Sequence, residues 1–243
     1  MTTASTLLRD IVTENYNSAS VLEKYGLDFC CKGAMSLKDA CLRKKLDSEK
    51  VIRDLMEVDY DDSSQRFSQW DLPFLIDYIY NNHHAYVRYQ TSMIGIHLDK
   101  VISEHGDKHP ELKEANAVFH LYSKELVDHM IKEEKILFPF IKEIALNYAS
   151  HGDPPSTHFA SIGTPIAIIR EEHAEVGKEL EHIRSLLHNY TPPEDACMTM
   201  RLLYKELEAF EHDLHKHVFL ENVILFPKAM TMEKELYQMP KSR

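Results

Sequence analysis

Glycine is scarce in this 243-residue chain: 7 residues, roughly 3% against a usual ~7%. That scarcity argues against sandwiches, barrels and glycine-rich nucleotide loops. Cysteine is also sparse, with 4 residues, too few for a disulfide scaffold at this length. The expected compartment is therefore the reducing cytoplasm. Positive charge is in deficit: Lys+Arg total 28 against Asp+Glu 39, a net charge of −11. Such a balance disfavours nucleic acid and anionic membrane as partners. No run of about 18 apolar residues occurs, so no membrane span is expected. Thr2-Thr3-Ala4-Ser5 shows no basic region leading into an apolar one, so no signal peptide is expected. What remains is ordinary for a folded protein: 44% hydrophobic and 28% charged residues, enough apolar material for a core and too much for disorder as the main state. One count stands out. There are 15 histidines, and they are not scattered at random.

Residues 1–60 read as a small helical domain. Thr6 to Glu14 and Ser18 to Tyr25 are short helix candidates, the second stopped by Gly26. Ser36 is the expected N-cap of a helix through Lys44, and Ser48 of one through about Glu57. About sixty residues is a marginal size for an independent core, so either the rest of the chain or a second copy, in a homodimer, is expected to cover it. Residues 61–70 begin as a polar stretch and read as a linker; residues 71–243 form the main body. Four long helices are expected there: Leu72 to Ser103, Glu111 to Tyr148, Pro165 to Leu187 and Glu194 to Ala229. Gly106 and Pro110, the turn-rich loop around Pro154 and Pro155, and Pro192 with Pro193 separate them. Long pair, longer loop, long pair is the pattern of an antiparallel four-helix bundle, and the fold class is all-α.

The strongest signal is an internal duplication. His129-Met130-Ile131-Lys132-Glu133 leads to Leu137-Phe138-Pro139, and His217-Val218-Phe219-Leu220-Glu221 leads to Leu225-Phe226-Pro227, at an offset of 88 residues. Upstream, His84 and His173 are offset by 89. Each half thus offers one His on its first helix and His-x3-Glu on its second. Residues four apart share a helix face, so each motif presents an imidazole and a carboxylate together.

The helical period indicates which way these residues point. Ile166, Ile169, His173, Val176, Leu180, Ile183 and Leu187 alternate steps of three and four, which sets His173 in an apolar stripe. Tyr80, Val87, Ile94 and Val101 repeat at seven, with His84 and Leu98 interleaved and His83 off the stripe. Tyr122, His129 and Ile136 repeat likewise, interleaved with Leu126, Glu133 and Phe140. In the fourth helix Leu203, Phe210, His217 and Ile224 do the same.

Four His and two Glu therefore converge on an apolar interior. A buried carboxylate must be paired or bind metal, and no Lys or Arg falls on these stripes at that level. A structural zinc site would close with four ligands. Six ligands related by a pseudo-two-fold fit two metals better: if both Glu bridge, each metal receives two nitrogens and two carboxylate oxygens, and an oxo or hydroxo bridge adds another donor. A mixed imidazole and carboxylate set with open positions suits non-haem iron best and manganese next. A lone His on an apolar stripe is usually a satisfied core residue; two matched copies of the whole set make coincidence a poor account. The Leu-Phe-Pro triplets read as packing and helix-shaping features.

Other residues are weaker candidates. Glu125, one turn before His129, is either an outer partner or proton relay or an exposed salt-bridging residue. Glu172, beside His173, is a lesser candidate of the same kind. The remaining histidines, His83, His97, His105, His109, His120, His151, His158, His182, His188, His212 and His215, are expected on surfaces or loops. Cys41 and Cys197 read as core or incidental. The vicinal pair Cys30-Cys31 is either two small residues in a turn or a thiol pair for redox chemistry, transient iron binding or partner contact; a disulfide between adjacent Cys would be strained and easily reduced.

These residues resemble a known family, the di-iron "repair of iron centres" proteins. Tyr25-Gly26-Leu27-Asp28-Phe29-Cys30-Cys31-Lys32-Gly33 resembles that family's small N-terminal domain, and the segments His129 to Pro139 and Leu220 to Pro227 resemble its hemerythrin-like bundle. The resemblance covers nearly the whole chain. It implies that His84, His129, Glu133, His173, His217 and Glu221 hold two irons with both Glu bridging. The loop between the second and third helices is longer than the family pattern, and Lys32 stands where a small Gly is also found. The ferritin-like class uses Glu-x-x-His; the order here favours the hemerythrin-like arrangement.

The implied function is repair of iron–sulfur clusters damaged by nitric oxide or oxidation, by supplying iron and by reaction with nitric oxide at the centre, with iron–sulfur proteins as clients. Whether nitric oxide is reduced enzymatically stays open. The alternative is a reversible carrier or sensor of dioxygen or nitric oxide. Iron storage ranks last, since nothing here builds a large cage. The Cys-Cys segment, Glu125 and Glu172 favour the repair reading, as a carrier has no need of a thiol domain.

Overall fold

A computed structural model describes residues 2–60, 67–155 and 161–238. Residues 61–66, most of the expected linker, and His158 lie outside them. The described residues are helical, with one isolated antiparallel bridge between Leu7 and Ser36 and no strand among them. The described chain divides into two units, Met1–Asp71 with Val218–Pro227, and Leu72–His217 with Lys228–Arg243.

The first unit holds α1 (Leu8–Glu14), α2 (Ser18–Lys24), α3 (Leu37–Lys44) and α4 (Ser48–Met56). Ser36 caps α3, its hydroxyl accepting from the Asp39 amide at 3.1 Å. For α4 the cap is Asp47, whose carboxylate accepts from the Glu49 amide at 2.9 Å, and the expected cap Ser48 is the first helical residue. Gly26, at φ +62°, occupies the left-handed conformation that stops α2, a conformation in which a Cβ is strained. Leu8, Ile11, Leu22, Phe29, Leu37 and Val51 fill the core. Sixty residues do not close it alone. Val218–Pro227 belongs to this unit, and Phe219 packs on Tyr16 and Phe29 at ring separations of 5.7 and 5.9 Å.

The rest of the described chain forms four helices, of which the last also supplies Val218–Pro227 to the first unit. Helix α5 comprises Leu72–Tyr78, a wide turn Ile79–His84, and Ala85–His105. Helix α6 comprises Glu111–Lys132, a wide turn Glu133–Leu137, and Phe138–Ser150. Helix α7 is Gly163–Leu186. Helix α8 comprises Met198–Phe219, a wide turn Leu220–Leu225, and Phe226–Gln238. It begins four residues after the expected Glu194, because Glu194 and Ala196 offer their carbonyls to the Arg201 guanidinium instead of to helical amides. Apolar stripes from all four helices meet in one core, with Ile94 and Leu98 from α5, Phe119 and Tyr122 from α6, Leu180 and Ile183 from α7, and Leu203 and Phe210 from α8. This is the four-helix bundle that the spacing predicts.

The three wide turns are π-helical: Ala85, Phe138 and Phe226 donate to the carbonyls of Tyr80, Glu133 and Glu221, five residues back. Each inserts an extra residue, and in α5 and α6 the apolar stripe slips by one there, while in α8 Ile224 stays buried. Ile136, expected inward, is 50% exposed, and Leu137 takes its place at 2%. Tyr80, also expected inward, is 46% exposed, and Ile79 is buried. The Leu-Phe-Pro triplets now have a physical role. Pro139 and Pro227 carry no amide N–H, so a regular ladder would break there in any case, and each wide turn ends just before its proline. In α5 the side-chain amides of Asn81 and Asn82 donate to the carbonyls of Asp77 and Tyr78, four residues back.

Candidate metal centre

The duplicated residues come together. His84 on α5 faces His217 on α8 with Nε2 atoms 3.1 Å apart, and His129 on α6 faces His173 on α7 at the same 3.1 Å. The repeat, at offsets of 89 residues for His84 and 88 for His129, maps the first pair onto the second. Glu133 lies between them: its Oε2 is 3.4 Å from both the His84 and His129 Nε2 atoms, and its Oε1 is 4.0 Å from the His173 Nε2. Glu221, one turn after His217 in the same helix, completes two groups of potential ligands: His84, Glu133, His217 and Glu221, and His129, Glu133, His173 and Glu221, with the offered atoms of each group within 4.8 Å of one another. Both carboxylates belong to both groups. All six side chains are buried, Glu133 and Glu221 with 0% exposure. The three wide turns carry His84, Glu133 and Glu221, so each extra residue falls where a ligating side chain must be aimed inward.

The donor set fits a pair of hard-to-borderline cations. Two imidazole nitrogens sharing one ion at about 2.1 Å in a right-angled arrangement stand ~3.0 Å apart, close to the separation found in both His pairs. Two carboxylates in an apolar core also need positive charge nearby. The described residues therefore include buried His/Glu groups that can hold metal.

Outer contacts orient the imidazoles. The His84 Nδ1 lies 2.7 Å from Glu134 Oε1, and the His129 Nδ1 lies 2.7 Å from Glu172 Oε2. An Nδ1–H donated to a carboxylate leaves the Nε2 lone pair facing the centre. Arg88 also reaches Glu134, and Lys132 also reaches Glu172. The His129 contact, with help from Lys132 and against partial burial, holds the Glu172 carboxyl down at about 2. Burial would raise the Glu134 carboxyl, but the bonds from Arg88 and His84 outweigh it and the group lies below its ordinary value. The Phe138 ring stacks on His84 at 5.5 Å.

The weaker candidates divide. Glu172 is an outer partner of the centre, whereas Glu125 is exposed. His83, expected at the surface, is 3% exposed: it stacks on His217 with ring centroids 5.8 Å apart and pairs through Nδ1 with Asp213 at 2.9 Å. The extra residue in the Ile79–His84 turn is the reason, since it brings two successive positions inward. The sequence held a signal for this pair. His83 is the repeat counterpart of Glu172, and Asp213 that of Glu125. Glu134 gave no signal of its own; stripes identify inward positions, and an outer partner sits beside them. His97, His109 and His215 are half-buried and pair with acidic residues, His97 with Glu206 at 2.6 Å. None of Cys30, Cys31, Cys41 and Cys197 is in a disulfide; Cys30 is buried and Cys31 partly exposed.

Comparison with known proteins identifies the domains. Residues 75–229 match the Hemerythrin HHE cation binding domain, and residues 4–59 match a domain of unknown function, DUF542. The chain is 34% identical over 229 residues to the iron-sulfur cluster repair protein ScdA of Staphylococcus haemolyticus, covering 94% of this chain and 99% of that protein. It is 32% identical over 216 residues to the iron-sulfur cluster repair protein YtfE of Escherichia coli O157:H7, covering 89% of this chain and 92% of that protein. A probable iron-sulfur cluster repair protein of Haemophilus influenzae is 31% identical over 233 residues, 95% of this chain and 99% of that protein. No helix among the described residues is long and apolar enough to cross a membrane. An all-helical bundle with a duplicated His/Glu core, joined to a small vicinal-Cys region and matched over nearly its full length, belongs to the family of iron–sulfur cluster repair proteins that carry a hemerythrin HHE cation binding domain.

Proposed function

We propose that this protein repairs iron–sulfur clusters in the cytoplasm. In this reading it holds two irons joined by an oxo or hydroxo bridge, one ligated by His84 and His217, the other by His129 and His173, with Glu133 and Glu221 serving both. The convergence of two equivalent buried groups sharing two carboxylates carries the proposal; the repair function named for its relatives gives it direction. The bundle is residues 71–243, the thiol domain residues 1–60 and the linker residues 61–70.

Iron held by these residues would supply ligand exchange and one-electron chemistry toward small diatomic molecules such as nitric oxide. The chain's own residues do the rest. Glu134 and Glu172 fix the ring orientation of His84 and His129 and hold the Nδ1 protons. His83 supports the face of His217. Phe138 keeps water from one side of His84. The same groups make iron release responsive to ligand exchange or protonation, which suits donation of iron to a damaged cluster in a client protein.

The test joins metal content with repair. The freshly purified protein is expected to carry about two irons per chain and to restore activity to a client whose cluster nitric oxide has destroyed. His129→Ala with His217→Ala should lose both properties. Retention of two irons by that double variant overturns the ligand assignment. A stable, reversible dioxygen adduct with no transfer of iron to the client would replace repair with the carrier reading.

A further inference from the structure

Among the described residues, one other cluster beyond the imidazole–carboxylate centre brings metal-binding chemistries together. The loop after α2 turns tightly enough to gather Asp28, Cys30 and Cys31, whose offered atoms lie within 4.8 Å of one another. We infer that Asp28, Cys30 and Cys31 form a second metal site of thiolate type, taking one thiophilic divalent cation per chain. The inference is independent of the iron-pair reading and concerns different residues and a different ligand chemistry.

The distances carry it. The two sulfurs are 3.9 Å apart. That is far beyond the ~2.0 Å of a disulfide. It is close to the edge of a tetrahedron around a metal with sulfur at ~2.3 Å, an edge of about 3.8 Å. The Asp28 Oδ1 is 3.3 Å from the Cys30 sulfur. A metal with sulfur at ~2.3 Å and carboxylate oxygen at ~2.0 Å sets those atoms about 3.5 Å apart. The Cys30 thiol can donate either to Asp28 or to Cys31, so its proton stands in the space between the three donors. A cation entering that space replaces this proton and the one on Cys31, since thiolate is the ligating form.

The surroundings support the same reading. The Cys31 amide donates to Asp28 Oδ1 at 2.8 Å, which fixes the carboxylate against the two thiols before any ion arrives. Two thiolates, one carboxylate and a divalent ion sum to a single negative charge, and the Lys32 ammonium, 3.6 Å from Asp28 Oδ2, supplies the balancing positive charge. A monovalent ion would leave that charge unbalanced. Cys30 is buried while Cys31 is partly exposed, so the site has an anchored side and an open side. Three protein donors with a water in the fourth position make an open tetrahedral site.

Cobalt(II) is the probe, because a thiolate–cobalt bond has a near-ultraviolet charge-transfer band that imidazole and carboxylate ligands cannot produce. The reduced full-length chain, with iron already filling the imidazole–carboxylate centre, is titrated with Co2+ without oxygen, so that added cobalt reports on the thiol cluster. The expected result is a band saturating at one cobalt per chain with release of close to two protons. Cys30→Ser with Cys31→Ser should abolish the band. Asp28→Asn keeps an acceptor for the Cys31 amide and so keeps the loop; it should weaken cobalt binding on the order of tenfold or more, since loss of even an outer partner commonly costs that much. Absence of the band in the parent, its persistence in the double Ser variant, saturation at half an ion per chain, or an Asp28→Asn variant that titrates like the parent would each overturn the assignment. If the double Ser variant does not fold, the Asp28→Asn titration and the proton count decide.

Discussion

In the first half of the bundle, His84 and His129 each turn Nδ1 to a carboxylate, Glu134 and Glu172, and each carboxylate is itself held by a cation, Arg88 and Lys132. In the second half, His217 lies flat against His83, an imidazole that pairs with Asp213. The inner residues of the two halves are the same at matched positions; the outer ones are not. Under the repeat, Glu134 becomes Asn222, Arg88 becomes Gly177 and Glu172 becomes His83. The inner set surrounds one shared centre: each group takes one His from each half, and both groups share the two Glu. An outer contact has only to hold one ring, and several chemistries do that. Duplication therefore survives where the geometry is shared and fades where it is local.

The largest expected effect comes from breaking the shared part. Glu133 belongs to both groups, so Glu133→Ala should abolish metal retention as a pair, read as iron per chain near zero. His84→Ala and His173→Ala each remove a nitrogen from one group only. Each should leave about one tightly held iron of the two, and the two variants should resemble one another. A marked difference between them would break the equivalence of the halves.

Outer partners should give a smaller and unequal response. Glu134→Gln and Glu172→Gln keep shape but remove the anionic acceptor, and each is expected to weaken metal affinity about 10–100-fold. His83→Phe retains a flat ring against His217 and loses the pairing with Asp213; it should cost less than either Gln variant. Chelator competition on each protein checks the order. If His83→Phe proved as severe as Glu172→Gln, the halves would depend on their outer contacts alike.

Much of this was legible before any coordinates. The α7 stripe from Ile166 to Leu187 is buried at every expected position, because α7 is regular from end to end. The other three helices each contain a π-helical turn; in α5 and α6 a strict seven-residue reading fails there by one residue, at Tyr80 and Ile136, while in α8 Ile224 is buried as read. The inner His and Glu remained readable because each duplicated motif is short, and its members lie at the edge of a wide turn. The thiol cluster was half legible. Vicinal cysteines stand out in any sequence, whereas Asp28 joins them only through a loop bend that its own bond to the Cys31 amide creates. His83 was missed because an off-stripe position next to a ligand is normally outward, and a wide turn is what makes it inward.

A lesser effect concerns acid. Asp195, before α8, accepts from Lys108 and lies 3.3 Å from the His109 imidazole between α5 and α6. The Lys108 bond holds its carboxyl down at about 2. A carboxylate depressed by folding adds stability above its unfolded value, near 3.9, and that stability is lost as pH falls toward 2. Asp195→Asn should therefore lower the melting temperature slightly at neutral pH, and the difference from the parent should shrink between about pH 4 and pH 2. Melting curves across that range check it. A difference that grew with acid would place the stabilising charge elsewhere.

The smallest expected effect is the most direct probe of the comparison. Glu125 and Asp213 are repeat counterparts, each one turn before a His of the core. By spacing alone they are interchangeable. By structure they are not: Asp213 pairs with the buried His83, while Glu125 is exposed, because the counterpart of His83 is Glu172, which would repel it and is already engaged by His129 and Lys132. Glu125→Gln should leave iron content and chelator resistance within error of the parent. Asp213→Asn should loosen the His83 ring and with it the face of His217, a change visible as faster iron loss to the chelator. Equal behaviour of the two variants, whether both silent or both impaired, would mean that the outer contacts follow the duplication after all.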